Sequence, residues 1–237
     1  MNARVLKMAL TLLAFAQPIW ANPDTFTVDP EAGNNTFSAV FDAALGERIM
    51  AVSSSVNCTI MVDEGQLEGK AKCSVPLTAI RVDNDDTKTD HFQQWATNKK
   101  VDPAKCTFDL EIPLVKVQTP LEEKKPITFT TDGTFTICGR KHDTGQPEHV
   151  QGTVVLLPVD SSGDTRTLRI RAHIENFNRE QYGISPKNTA GWLARVQQLA
   201  PVVATEGTIE VNIFATSPSG ASAKKASVEG AKTTKKQ

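Results

Sequence analysis

Residues 58–73 read CTIMVDEGQLEGKAKC, and this stretch decides how the rest of the chain is read. Two short runs fold back on each other about Glu64-Gly65-Gln66-Leu67. With Gly65-Gln66 as the two loop residues, Gly65 takes the first central position of a type II′ turn, where φ is positive. That register sets Cys58 opposite Cys73, Val56 opposite Val75, Ile60 opposite Ala71 and Val62 opposite Gly69. All eight share one face because strand side chains alternate with period two, leaving Thr59, Met61 and Asp63 on the other. The spacing therefore predicts an antiparallel hairpin with an apolar face and a Cys58–Cys73 cystine; two buried free thiols are the alternative.

The same period recurs outward from the hairpin. Thr36–Phe41 is a strand candidate after the turn signal Gly33-Asn34-Asn35. Cys106–Val117 places Phe108, Leu110, Ile112 and Leu114 on one face, and Pro126–Cys138 does so with Ile127, Phe129, Phe135 and Ile137. Val150–Val159 is a more continuous apolar run, and Asp160–Asp164 is a turn. Thr167–Ile174 sets Leu168, Ile170, Ala172 and Ile174 against Arg169, Arg171 and His173; Thr208–Phe214 sets Ile209, Val211 and Ile213 against Glu210 and Asn212. About eight strands separated by turn signals indicate an all-β fold, an antiparallel sandwich or barrel. Polar Asp83–Lys100 reads as a loop or short helix with Phe92 and Trp95 inward. Ala190–Ala200, with Trp192, Val196 and Leu199 at helical spacing before Pro201, reads as a short helix between the last two strands, capping one barrel end.

Two ends stand apart from the fold. Residues 1–21 carry Arg4 and Lys7, the apolar run Met8–Phe15 and small residues, with cleavage within Ala14-Phe15-Ala16 or after Ala21. This is a secretory signal peptide, too short for a membrane span, and it predicts a periplasmic or secreted protein. Residues 217–237 are Ser, Ala, Gly, Thr and Lys, too poor in apolar side chains to offset their ordering entropy. Five lysines against Glu229 give this tail +4 and the leader holds +2, which leaves the 22–216 body at −7 of the overall −1. Such a tail can touch an anionic surface. Nothing suggests nucleic acid. Four cysteines in an exported chain favour two disulfides over a metal site. Three connectivities exist; pairing the hairpin leaves Cys106 with Cys138. Cys106 shares parity with Phe108, whereas Cys138 opposes Phe135 and Ile137, so that bond needs a bulge or a strand-end position beside Gly139.

The order of features resembles the YceI-like polyisoprenoid-binding family, exported lipocalin-like barrels. Phe26-Thr27-Val28-Asp29-Pro30 with Phe37–Phe41 is similar to the family's first strand. Cys58-Thr59-Ile60 stands at its G-T-I run and Leu77-Thr78-Ala79-Ile80 at its V-A-S-I. Asp102–Phe108 resembles D-x-x-x-Y-P-x-x-x-F, Thr136-Ile137-Cys138-Gly139 resembles L-T-I-x-G, and Arg179–Ile184 resembles R-S-x-F-G-I. The likeness spans residues 26–214. The family's first His and Ser are missing near Gly33-Asn34, its R-D-x-H-L segment is blurred around His91-Phe92, and 190–200 looks like an insertion. These departures are expected in loops near the barrel mouth.

No nucleophile elbow, phosphate-binding loop, dinucleotide motif or zinc-type spacing occurs. His142 and His149 read as surface-loop residues, His173 as an exposed strand residue, and His91 as a loop or mouth residue; Ser53-Ser54-Ser55 stand beside no evident base. An eight-stranded barrel either fills its interior or keeps a cavity for one elongated apolar ligand. The resemblance implies the second: a protein that holds or shuttles a polyisoprenoid, quinone or fatty amide without catalysis, cofactor or metal. Its lipid-binding residues would be Phe41, Val56, Ile60, Val75, Phe108, Leu110, Ile112, Phe135, Tyr182 and Trp192, the last two near the lid, where they contact a ligand's polar head or plug the barrel end. The rival readings are a packed β-domain acting as an interaction module at an anionic cell surface, and an enzyme using His91 at the mouth. Oligomeric state is open, a dimer included.

Overall fold

The computed structural model describes residues 23–98, 100–159, 165–185 and 203–218. The leader, most of the tail, the Asp160–Asp164 turn and the 190–200 helix with Trp192 lie outside the described residues.

The chain folds as β1 (Asp24–Val28), β2 (Thr36–Asp42), β3 (Arg48–Ser53), β4 (Asn57–Asp63), β5 (Glu68–Pro76), β6 (Arg81–Val82), α1 (Asp86–Thr97), β7 (Thr107–Lys116), β8 (Pro126–Ile137), β9 (Arg140–Lys141), β10 (Glu148–Leu156), β11 (Thr165–Asn178) and β12 (Glu206–Pro218). Every pairing between these strands is antiparallel. The order β1-β4-β5-β7-β8-β10-β11-β12 closes on itself where Thr27 and Val28 pair with Thr216 and Ala215. The result is a closed eight-stranded antiparallel barrel, which leaves no free edge along its main circuit.

The first three barrel strands are each broken. β2 continues β1 along β12, β3 leads into β4, and β6 extends β5 by pairing with β3. The first break is held by Asn35, which is buried and bonded through both its amide nitrogen and its oxygen. Its side chain donates to the Asp29 carbonyl at 2.8 Å and accepts from the Phe214 amide at 2.9 Å. A buried amide so satisfied costs little, whereas an apolar replacement would strand both backbone groups.

The founding hairpin has the expected register: Cys58 faces Cys73, Ile60 faces Ala71 and Val62 faces Gly69. Its turn differs. Asp63 and Glu68 are the last pair, so Glu64–Leu67 form a four-residue loop, and Leu67 rather than Gly65 takes the left-handed region at φ 55°. The Asp63 carboxylate accepts from the Gln66 amide at 3.0 Å, and this side-chain bond replaces the glycine-based turn.

Both disulfides form. Cys58–Cys73 joins a directly opposed pair with Cα atoms 4.1 Å apart, and Cys106–Cys138 joins Cα atoms 4.4 Å apart. The parity problem at Cys138 resolves at the strand end. β8 stops at Ile137, and Cys138 adopts φ 48° with Gly139 at φ 77°, which turns its sulfur towards Cys106.

β7 departs from strict alternation. Register shifts between Gly69/Val115 and Ala71/Ile112, so a bulge at Pro113-Leu114 reverses parity. Leu114 is consequently exposed, at 37%, and Val115 turns inward in its place.

Asp83–Lys100 resolves mainly into α1. Asp85 caps it by accepting from the Lys88 amide at 2.8 Å, and Asn98 ends it at φ 51°. Phe92 and Trp95 pack on the core as their spacing suggests, beside fully buried Ala96. α1 closes one end of the barrel, the end reached by the β2–β3, β5–β7, β8–β10 and β11–β12 connections. The opposite end carries the β4–β5 and β7–β8 turns, the start of β1 and the end of β12.

Candidate functional site

Period-two alternation sends a row of side chains from each strand into the barrel, and these rows do not fill it. They enclose a cavity of about 150 Å³. Its walls are hydrocarbon. Val56, Ile60 and Val75 line it from the first hairpin, Leu110 and Ile112 from β7, and Phe129 and Phe135 from β8. β11 contributes Leu168, Ile170, Ala172 and Ile174, and β12 contributes Ile209, Val211 and Ile213. His173 and Ser74 border it, but each alternates away from the inward rows.

At the α1 end the cavity meets an aromatic floor. Phe108 lies 6.1 Å from Phe37 and 6.3 Å from Phe135, both edge-on. Phe135 stands 5.2 Å from Phe177, which stacks on Tyr182 at 5.0 Å. Edge-to-face and offset contacts at such distances favour one arrangement over a sliding one. Tyr182 is 1% exposed and its hydroxyl donates to the Glu148 carboxylate. Burial, then that hydrogen bond and the neighbouring charge, raise its pKa far above the ordinary phenol value.

Two arginines lock this floor from below. Arg179 is 5% exposed and donates to three carbonyls, Ile184 at 2.7 Å and Ala204 and Val203 at 3.0 Å each. Arg140 donates to Tyr182 O at 2.9 Å and to the Ala96 carbonyl near the end of α1, where a cation also suits the helix dipole. The segment resembling R-S-x-F-G-I thus builds the closed end.

At the other end the lining runs out to the hairpin tip, through Glu64, Leu67 and Glu68, and to Val117 and Leu121 after β7. The cavity therefore opens at the barrel end that carries the β4–β5 tip and the β7–β8 loop. Arg166, first on the inward row of β11, donates to both Asp24 and Glu64 at this end. Its guanidinium lies over the Phe26 ring at 5.6 Å. Burial alone would lower its pKa; Glu64 and Asp24 overcome that and raise it.

The structure brings Val56, Ile60, Val75, Leu110, Ile112 and Phe135 together around the cavity. It places three others elsewhere. Phe41 is half-buried at the α1 end, covering Gly207, where an added Cβ would sit 2.5 Å from its ring. Phe108 is spent on contacts with Phe37, Phe92 and Phe135. Tyr182 lies behind Phe135, beneath the floor, so it cannot meet a head group at the mouth. Trp192 lies outside the described residues. His91 is carried by α1 at the closed end, not at the mouth, and the departures from the family pattern near 33–34 and 91–102 likewise avoid the opening. His142 packs edge-on to Tyr182 at 5.6 Å, while His149 is exposed beside Asp132 at 3.3 Å. Among the described residues no cluster of three or more His, Cys, Asp or Glu could hold a metal ion.

Alternation alone identifies the inward rows of β11 and β12 without assigning them to a site. Val115 and Val117 cannot be found that way, because the β7 bulge that turns them inward breaks the period.

No family model matches the chain, and neither does any curated protein. Seven solved chains are similar to it. One is a polyisoprenoid-binding domain from Saccharophagus degradans, implicated in plant cell wall breakdown; the match has 11% identity, covers 83% of this chain and 99% of that one, and has a TM-score of 0.58. At that identity the likeness is one of fold: this chain shares that domain's barrel architecture.

Proposed function

We propose that this protein is an exported carrier that holds an elongated apolar ligand, such as a polyisoprenoid, quinone or fatty amide, by its tail in the barrel cavity. The observation that carries this reading is the cavity itself: dry-walled, closed by rings at one end and open at the other. An apolar cavity of about 150 Å³ accepts a guest the size of benzene. Six such carbons at about 0.8 kcal/mol each give roughly 5 kcal/mol of transfer free energy. A longer ligand continues through the mouth, so its head group stays outside the barrel. Binding and release is the reading we favour over turnover, because the described inward rows present hydrocarbon to the cavity. Export is supported by the signal-like residues 1–21 and by the two disulfides, which persist in oxidising compartments.

The fold shared with the polyisoprenoid-binding domain supports the ligand class. The test is native mass spectrometry of residues 22–237 from an export host, followed by solvent extraction. A discrete bound mass released as an apolar chain is expected, and Leu110→Asp, which puts a charge into the dry wall, should remove it. A clean apo mass that persists after incubation with polyprenyl, quinone and acyl lipids overturns the reading in favour of a packed interaction module.

A further inference from the structure

We infer that Arg166, Asp24 and Glu64 form a strap across the open end of the cavity, and that this strap sets how fast a ligand enters and leaves. The inference rests on the carrier reading above and adds a residue to it that controls exchange.

Three positions explain why the cluster is a strap rather than ordinary surface decoration. Arg166 belongs to the inward row of β11, two residues before Leu168, which lines the cavity. Asp24 belongs to the inward row of β1, two residues before fully buried Phe26. Glu64 sits on the hairpin tip and is itself part of the cavity lining. One guanidinium thus joins groups 142 and 102 residues away in sequence and bridges the barrel end, with its face on Phe26. Its side chain is only 22% exposed, so the pairs are better shielded than a free surface bridge.

The hairpin tip is held differently on its two sides. Towards β7 the Val117 amide donates to the Leu67 carbonyl at 3.0 Å, and Lys116 pairs with Glu68 at 3.1 Å. Towards β11 the tip is held by Glu64 on Arg166. The β7 side behaves as a hinge, and the β11 side as a clasp whose release widens the mouth. The clasp is electrostatic, so salt loosens it without touching the apolar walls.

The test uses the neutral apolar fluorophore N-phenyl-1-naphthylamine with the purified 22–237 chain. Stopped-flow mixing gives its association and dissociation rates. Glu64→Gln should raise both rates about fivefold, the scale of one partly exposed ion pair. The dissociation constant should stay within about twofold, because a gate changes the barrier and not the end states. About 1 M sodium chloride, where the screening length falls to about 3 Å, should accelerate the parent chain and change Glu64→Gln much less. Lys72→Gln, which breaks the exposed Lys72–Glu111 pair on the outer face of β5 and β7, should leave both rates unchanged. Unchanged rates in Glu64→Gln overturn the strap, and so does an altered dissociation constant with one rate fixed, the mark of a deformed cavity. Glu64 is an exposed loop residue, so the test stands even if Arg166→Gln does not fold. A parent chain that takes up no fluorophore overturns the carrier reading, and the strap with it.

Discussion

Ala172→Phe separates the cavity from the fold. Ala172 lies on the inward row of β11, between Gly152 of β10 and Val211 of β12, and lines the cavity. The added ring is the size of the guest that a cavity of about 150 Å³ admits, so it fills the space from within. Burying it contributes up to about 1.5–3 kcal/mol, offset by lost rotamer freedom and adjustment of neighbours. Stability measured by urea unfolding should therefore change by less than about 1.5 kcal/mol in either direction. Ligand uptake should collapse, since six carbons' worth of contact, roughly 5 kcal/mol, corresponds to more than a thousandfold in dissociation constant. Equilibrium titration with N-phenyl-1-naphthylamine, alongside circular dichroism, measures both quantities. A folded Ala172→Phe chain that binds the probe with unchanged affinity would refute the assignment of the binding space to this cavity.

Three further outcomes follow from the geometry. Tyr182 is the chain's single tyrosine, so phenolate absorbance reports it alone; the folded protein should show none as pH rises past 10, and the band should appear only with unfolding. The unfolded tyrosine ionises near 10 and the folded one well above it, so its contribution to stability is intact below pH 10 and is lost at higher pH; Tyr182→Phe should flatten that decline. Gly152→Val should cost about 3 kcal/mol by urea unfolding, because a Cβ there would meet Phe129 Cζ at 2.5 Å and the Arg171 carbonyl at 2.6 Å, and the backbone oxygen cannot swing aside. Removing Cys58–Cys73 by paired alanines should cost about 3 kcal/mol for its separation of 15 residues, and removing Cys106–Cys138 slightly more for 32, with equal losses pointing to native-state strain rather than chain entropy.

Much of this protein is legible in its amino-acid sequence. Alternation over 58–73, 106–112, 167–174 and 208–214 determines the strands, their inward faces and the pairing of Cys58 with Cys73, because period two is a local property of an extended chain. The same rows supply most of the cavity wall, Val56, Ile60, Val75, Leu110 and Ile112 among them. Alternation misleads where the period breaks or where distance along the chain carries no information. The bulge at Pro113-Leu114 exchanges Leu114 for Val115, and the left-handed turn at Cys138 reverses a face that strict parity sets against its partner. Glycine preference points to a hairpin turn at Gly65, but the Asp63 side chain stabilises a longer loop with Leu67 in the strained position.

Which end of the barrel is open is decided by tertiary structure alone. In sequence Tyr182 reads equally as a head-group contact or a plug of the barrel end; the ring contacts from Phe108 to Phe177 and the arginine bonds to backbone carbonyls assemble a floor from five separate segments and make it the plug. The strap is the clearest case. Asp24, Glu64 and Arg166 are ordinary charges in ordinary surroundings along the chain, and only closure of the barrel brings β1, the hairpin tip and β11 within reach of one guanidinium. Local periodicity specifies faces; the closing of the sheet specifies which residues meet across its ends.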